Sequence, residues 1–317
     1  MLSRRFLRVK ALQALYAYHQ SGNTQLPQAE KALISGVEDL YKFFVYQVSF
    51  WVEVKRFAER RIEENKMKLL PTEDDLNPNL KFVNNRILNV LDDNVHLMRL
   101  EEKYKINWAD SRDDFVRSFY NRMLEYPEYQ DYMNNGQDGF SDDKRFLLAV
   151  IDTYMAEDSS LYDYYADLDL SFNSDYQPAL YLVWKFINEL PANFSPASPL
   201  PQLYKDEASD TKFVVKLFEK TILHGDEYMA LVKDHVSNWD YGRLALIDKL
   251  LIFMALTEFC EFHEIPVKVT INEYVEISKF YSTAESRRFV NGMLDRLSNV
   301  LRDNGKLVKT GLGLVDK

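Results

Sequence analysis

Apolar residues recur at three- and four-residue intervals along most of the chain, with no sustained alternation of apolar and polar positions, so the pattern predicts an all-α protein. A first helix begins near Ser3 and runs to Gln20, where Ser21-Gly22-Asn23 ends it. A long helix follows from about Gln28 to Lys68 and is closed by Pro71. Helical patches come next at 79–104, 107–125, 142–156 and 176–189, separated by Asn-Pro, Tyr-Pro and Asn-Gly breaks. The segment Pro191–Pro201 holds four of the ten prolines, cannot continue a helix and reads as a linker. Beyond it the pattern sharpens. Thr211–His224 and Asp226–Val236 are amphipathic, whereas Arg243–His263 is apolar almost all round and should be the buried centre of a bundle, stopped by Pro266. Thr270-x-x-Glu273 and Ser282-x-x-Glu285 read as capping boxes, each opening a further helix. The last helix carries Phe289, Val290, Met293, Leu294, Leu297, Val300 and Leu301 on one face.

Charge changes this picture because it is segregated. The net charge is −10, yet residues 1–29 hold Arg4, Arg5, Arg8 and Lys10 and no acid. Residues 267–317 carry nine Lys/Arg against six Asp/Glu, which leaves −17 for 30–266. Two basic ends flank an acidic middle, and local charge decides where a phosphate backbone can sit. On a helical wheel, Arg4, Arg5 and Arg8 point the same way as Leu12, Leu15 and Tyr16. Burying three unpaired guanidiniums is prohibitive. They are therefore expected to project beyond the end of the bundle or to sit on an unwound arm. Arg287 and Arg288 lie in the first turns of the last helix, where cations oppose the helix dipole. That placement suits binding better than stability.

Catalytic chemistry finds no foothold, and the chain does not read as an enzyme. The five histidines form no ligand-spaced pair, so no metal site or cofactor is expected, and no Gly-rich phosphate loop follows a strand. Cys260 is the single cysteine, which excludes an internal disulfide, and its apolar helix makes it a core residue. The longest apolar run, Phe43–Val52, is far short of the roughly 20 residues of a membrane span. With no apolar stretch behind the basic start, a cytoplasmic protein is expected. The tyrosine-rich acidic stretch (Tyr126, Tyr129, Tyr132, Tyr154, Tyr162, Tyr164, Tyr165) reads as a packed helical domain with an acidic face, or as a protein-docking surface.

Three motifs carry a resemblance. They are the first helix ending Ala11-Leu-Gln-Ala-Leu-Tyr-Ala, the segment Val267-Lys-Val-Thr-Ile-Asn-Glu-Tyr-Val-Glu-Ile-Ser-Lys, and Arg288-Phe-Val-Asn-Gly-Met-Leu-Asp. Together they resemble the NusB family of transcription antitermination factors over roughly 1–21 and 211–303. The resemblance implies an all-α fold of NusB-like helical bundles with an additional helical domain inserted between the first and second family helices. The domains expected are 1–22, an acidic insertion at 23–209, and 210–317. It also implies a non-enzymatic factor that regulates transcription termination by binding boxA-like single-stranded RNA of ribosomal RNA leaders. Its partners would be NusE, a small ribosomal subunit protein, and the transcription elongation complex.

The RNA-binding residues implied are Arg4, Arg5, Arg8, Lys10, Tyr16, Glu285, Arg287, Arg288 and Phe289, forming one basic surface. About four phosphate contacts would give a log–log salt slope near −3. Tyr16 is either an aromatic beside the RNA or a core tyrosine, and Glu285 either faces RNA or only completes a capping box. Asp248 and Glu258, on the apolar central helix, are either NusE contacts or satisfied buried carboxylates. Asn272, Glu273 and Lys279 are expected to tie helices together, and Asn291 and Gly292 to allow close helix packing. A cytosine methyltransferase with a NusB-like front domain would need a Gly-rich cofactor loop and catalytic cysteines, which this chain lacks. The other alternative is a helical protein-docking scaffold of NusB-like fold with little RNA binding.

Overall fold

The computed structural model describes residues 4–22, 25–108, 113–235 and 244–315. Among these there are fifteen α-helices and no strand, as the periodicity predicts. The predicted ends at Ser3, Asn23, Val236 and Arg243, and residues 109–112 of the predicted 107–125 helix, lie outside the described residues. No described helix is long and apolar enough to cross a membrane. The chain divides into a composite unit, Met1–Glu38 with Leu203–Lys317, and an inserted unit, Asp39–Gln202. These boundaries differ from 22/23 and 209/210 because α2 (Leu26–Lys66) is one helix whose first turns, through the buried Leu33 and Val37, belong to the composite unit.

In the inserted unit, α2 is the central element. Between Leu40 and Lys55 every residue but Lys42 is buried, and the run Phe43–Val52 proves to be a core helix segment. Around it stand α3 (Glu73–Leu76), α4 (Arg86–Asp92), α5 (Val95–Tyr104), α6 (Asp113–Met123), α7 (Pro127–Asn134), α8 (Phe140–Thr153), α9 (Ser159–Leu168) and α10 (Leu170–Glu189). Aromatic rings fill the space between them. Phe43 stacks on Phe172 at 4.2 Å between centroids, and Phe50 meets Phe119 edge-on at 5.0 Å. Each large apolar side chain removed from water contributes about 1.5–3 kcal/mol. The tyrosines of the acidic stretch take part in this core: Tyr129, Tyr132 and Tyr165 are buried, and Tyr126 stacks on Tyr154 at 3.6 Å. Short polar caps cut the stretch into separate helices, with Asn85, Asn94, Asp158 and Asp169 accepting from the first free N–H groups of α4, α5, α9 and α10. The Asp169 cap starts α10 six residues before the predicted 176, so Pro178 falls inside the helix rather than at its opening.

The proline-rich stretch is not a free linker. Tyr41 donates to the Pro201 carbonyl at 2.6 Å, Asn94 Nδ2 to Ser198 O at 2.8 Å, and the Leu200 N–H to His96 Nδ1 at 2.8 Å. Leu200 itself is buried. Prolines hold the segment extended, and side chains of α2 and α5 satisfy the backbone groups that no helix pairs. Burial, then the nearby Arg99, holds His96 below the ordinary histidine value of 6.5. The folded state therefore favours the neutral ring, whose Nδ1 accepts from Leu200. This contribution is present above the unfolded value and is lost as pH falls through the folded one. The Leu200 amide resonance should accordingly shift as pH drops below about 6.5, with a midpoint on the acid side of free histidine. A pH-independent Leu200 signal would contradict the bond.

The composite unit contains α1 (Arg4–Ser21), α11 (Glu207–Leu223), α12 (Gly225–His235), α13 (Leu246–Glu261), α14 (Val267–Tyr281) and α15 (Ala284–Asp303). The α13 helix is buried all round from Leu250 to Leu256, the expected centre, and α1, α11, α12, α14 and α15 all pack on it. Neither predicted capping box forms. Pro266 stands at the N-cap of α14, which places Thr270 within the helix and buried. At α15 the cap is Thr283, whose side chain accepts from Ser286 N at 3.2 Å.

Candidate nucleic-acid interface

The α1 arginines do not form a projecting arm. Each is paired with an acid far away in sequence, so the cost of burying unpaired charge never arises. Arg8 donates from Nε and Nη2 to the two oxygens of Glu258, both at 2.7 Å, with side-chain exposures of 4% and 0%. Thr270 Oγ1 donates to the same carboxylate at 2.8 Å and the Tyr274 hydroxyl at 3.3 Å, so a buried charge is surrounded by donors. Burial alone would lower the Arg8 pKa; the charge and hydrogen bonds of Glu258 outweigh it and hold the guanidinium above its ordinary value. Burial, then Glu258, pushes the Tyr274 hydroxyl well up. Arg5 makes a two-point contact with Glu273 at 3.0 and 2.9 Å. Arg4 lies 3.4 Å from Asp210, donates to Ser209 Oγ and sits over the Phe213 ring. Lys10 is buried, with its stem against Gly36, where an added Cβ would come within 3.0 Å of the lysine Cε. Arg5, Arg8 and Lys10 therefore belong to the helix packing of the bundle.

The other half of α1 meets a different environment. The Gln13 Nε2 donates to the Tyr281 hydroxyl at 3.0 Å. Arg5–Glu273 and Gln13–Tyr281 share one sequence offset, 268, so α1 and α14 run parallel and in register. That register brings the C-terminal half of α1 beside the α14–α15 junction. Tyr16, one turn beyond Gln13, is 38% exposed, and its hydroxyl accepts from Gln20 at 3.1 Å. Along α1, Arg4 is about 18 Å from Tyr16. The predicted single basic surface is thus resolved into two places.

At the start of α15, Glu285 and Arg288 are exposed, and Arg287 and Phe289 half-buried. Glu285 takes no part in the cap, which Thr283 makes with Ser286. Among the described residues, Arg287, Arg288 and Arg296 have no carboxylate within ion-pair distance, in contrast to the three α1 arginines. Two unpaired cations at a helix N-terminus add to the positive end of the helix dipole and to its free N–H groups, an arrangement suited to anions.

Asp248 and Glu258 lie inside the bundle with their oxygens engaged. Ser282 Oγ donates to Asp248 at 2.6 Å, fastening the α14–α15 junction to α13, and Glu258 holds Arg8. Glu273 ties α14 to α1 as expected, but Asn272 and Lys279 are exposed and Lys279 pairs with Glu276 of its own helix. Asn291 and Gly292 are exposed too, so they do not serve close packing. Asp210, the Gln13–Tyr281 contact and the partner of Glu273 went unread in the sequence. A parallel pairing of α1 with α14 would have exposed the last two, and the packing of α1 on α11 the first.

Comparison with known proteins bears on the composite unit. The NusB family matches residues 194–299. Over 110 residues the chain is 41% identical to the transcription antitermination protein NusB of Salinibacter ruber, covering 35% of this chain and 69% of that protein. The protein of the same name from Chloroherpeton thalassium is 39% identical over 115 residues, 35% of this chain and 54% of its own length. That from Thermodesulfovibrio yellowstonii is 41% identical over 96 residues, 30% and 64% respectively. The matches thus span between about half and somewhat over two thirds of these relatives. No solved structure matches. With 69% of a relative covered at 41% identity and the all-α bundle on the page, the chain belongs to the NusB family.

Proposed function

We propose that this protein is a transcription antitermination factor that binds boxA-like single-stranded RNA together with NusE in the elongation complex, acting by binding and not by catalysis. The observation that carries the reading is the pair of cations at the start of α15, Arg287 and Arg288, which have no carboxylate partner among the described residues; the Gln13–Tyr281 bond directs the exposed Tyr16 toward the same end of the bundle. Phosphates would lie against the arginines and the helix N-terminus, and an unstacked base against the tyrosine ring, a contact worth about 1–3 kcal/mol. Glu285 sits beside them as an acceptor for a base amine.

Self-pairing in α1 lowers the number of available phosphate contacts. With Arg4, Arg5 and Arg8 occupied, the log–log salt slope should fall between about −1 and −2, well short of −3. Fluorescence anisotropy on boxA-like and scrambled RNAs over about 50–200 mM salt measures it, with and without NusE. Selectivity for the boxA-like RNA, tightened by NusE, supports the reading; a slope near zero sinks it. The same self-pairing is what favours the alternative, a protein-docking scaffold with little RNA binding. The scaffold would show NusE binding with no RNA selectivity.

A further inference from the structure

Glycine is among the costliest residues in the interior of an exposed helix. Gly292 stands in the middle of α15, exposed, and among the described residues an added Cβ at that position would meet nothing within 4 Å. Nothing among the described residues requires the missing side chain. A side chain at this position could only obstruct something outside.

The surroundings of Gly292 say what that is. Residues 288, 292 and 296 succeed one another along one face, so Arg288, the bare Gly292 and Arg296 form a stripe about 12 Å long, two to four nucleotides of a strand. Both arginines are exposed and lack a carboxylate partner among the described residues. Beside them the face carries Asn291, Asn299, Glu285 and Asp295, all exposed, and no exposed large apolar residue of the described chain lies on α15. A protein interface has an apolar centre, which this face lacks. A polar strand fits better: phosphates against the two arginines, base edges against the amide and carboxylate groups, and the ribose over the glycine.

We propose that the single-stranded RNA does not stop at the start of α15 but runs along its exposed face from Arg288 across Gly292 to Arg296. This rests on the RNA-binding reading above and extends the site by two helical turns.

The test uses the full chain and a labelled boxA-like RNA of about 12 nucleotides. Gly292→Ala should raise the melting temperature by about 2 °C, because alanine is the better helix former and has room, yet weaken RNA binding at least fivefold. Arg296→Ala should weaken binding about fivefold and reduce the salt slope by about 0.7. Gly292→Leu should weaken binding further than Gly292→Ala. If Arg287→Ala and Arg288→Ala weaken binding while both Gly292→Ala and Arg296→Ala leave it unchanged, the strand ends at the helix start and the inference is overturned, with the RNA reading intact. If wild type binds no RNA, the RNA reading itself fails. If Gly292→Ala spares RNA but weakens NusE capture, the bare face belongs to a protein and the inference is likewise overturned.

Discussion

Arg8→Ala should destabilise the composite unit by about 3–5 kcal/mol, and Glu258→Ala by a similar amount, as followed by denaturant unfolding. Both groups are almost wholly buried, with two 2.7 Å hydrogen bonds between them. Removing either leaves the other a buried charge without its hydrogen-bonded partner. Removing Glu258 also strands the Thr270 and Tyr274 hydroxyls, which donate to it. The loss therefore measures an orphaned charge rather than the worth of the pair. The double variant Arg8→Met/Glu258→Leu separates the two, since apolar side chains of similar volume should recover most of the stability. Losses below about 1 kcal/mol in both single variants would mean that water reaches the pair, against the burial described above. In the fraction that remains folded, Arg8→Ala should leave RNA affinity within about threefold, because this arginine is already committed to Glu258.

The same pair shows what was legible in the sequence. Element positions could be read, because each helix announces itself locally: α1, the long α2 and the all-round apolar α13 stand close to where periodicity, prolines and polar breaks put them. Ion-pair partners could not be read. Arg8 and Glu258 are 250 residues apart, so nothing local distinguishes a guanidinium that projects into water from one that closes a bundle. The helical wheel did place Arg4, Arg5 and Arg8 on the core side; the error lay in assuming that no carboxylate would meet them there. Caps misled in a similar way. Thr270 has the spacing of a capping residue, but Pro266 had already started the helix, and the hydroxyl serves Glu258 instead. The proline-rich stretch looked like a linker because composition reports what cannot be a helix and is silent on what will hold it. Gly292 looked like a packing glycine because small residues more often serve contact inside a fold than clearance outside it.

Arg287→Ala/Arg288→Ala should cost RNA affinity about 2–4 kcal/mol, a loss of roughly 30- to 1,000-fold, while leaving the fold intact. Each arginine supplies a phosphate contact, so the double change should also flatten the salt slope by about 1.4. Stability should hold or rise slightly. Cations in the first turns oppose the helix dipole, and neither arginine has an acid to lose among the described residues. Such a pattern, binding lost and stability kept, is the reverse of that expected for Arg8. Arg5→Ala is the informative control: Glu273 holds that guanidinium at two points, so RNA affinity should change by no more than about threefold while unfolding becomes easier. If Arg5→Ala instead removes RNA binding and the Arg287/Arg288 variant keeps it, RNA must draw the α1 arginines away from their carboxylates. The interface would then lie at the opposite end of α1.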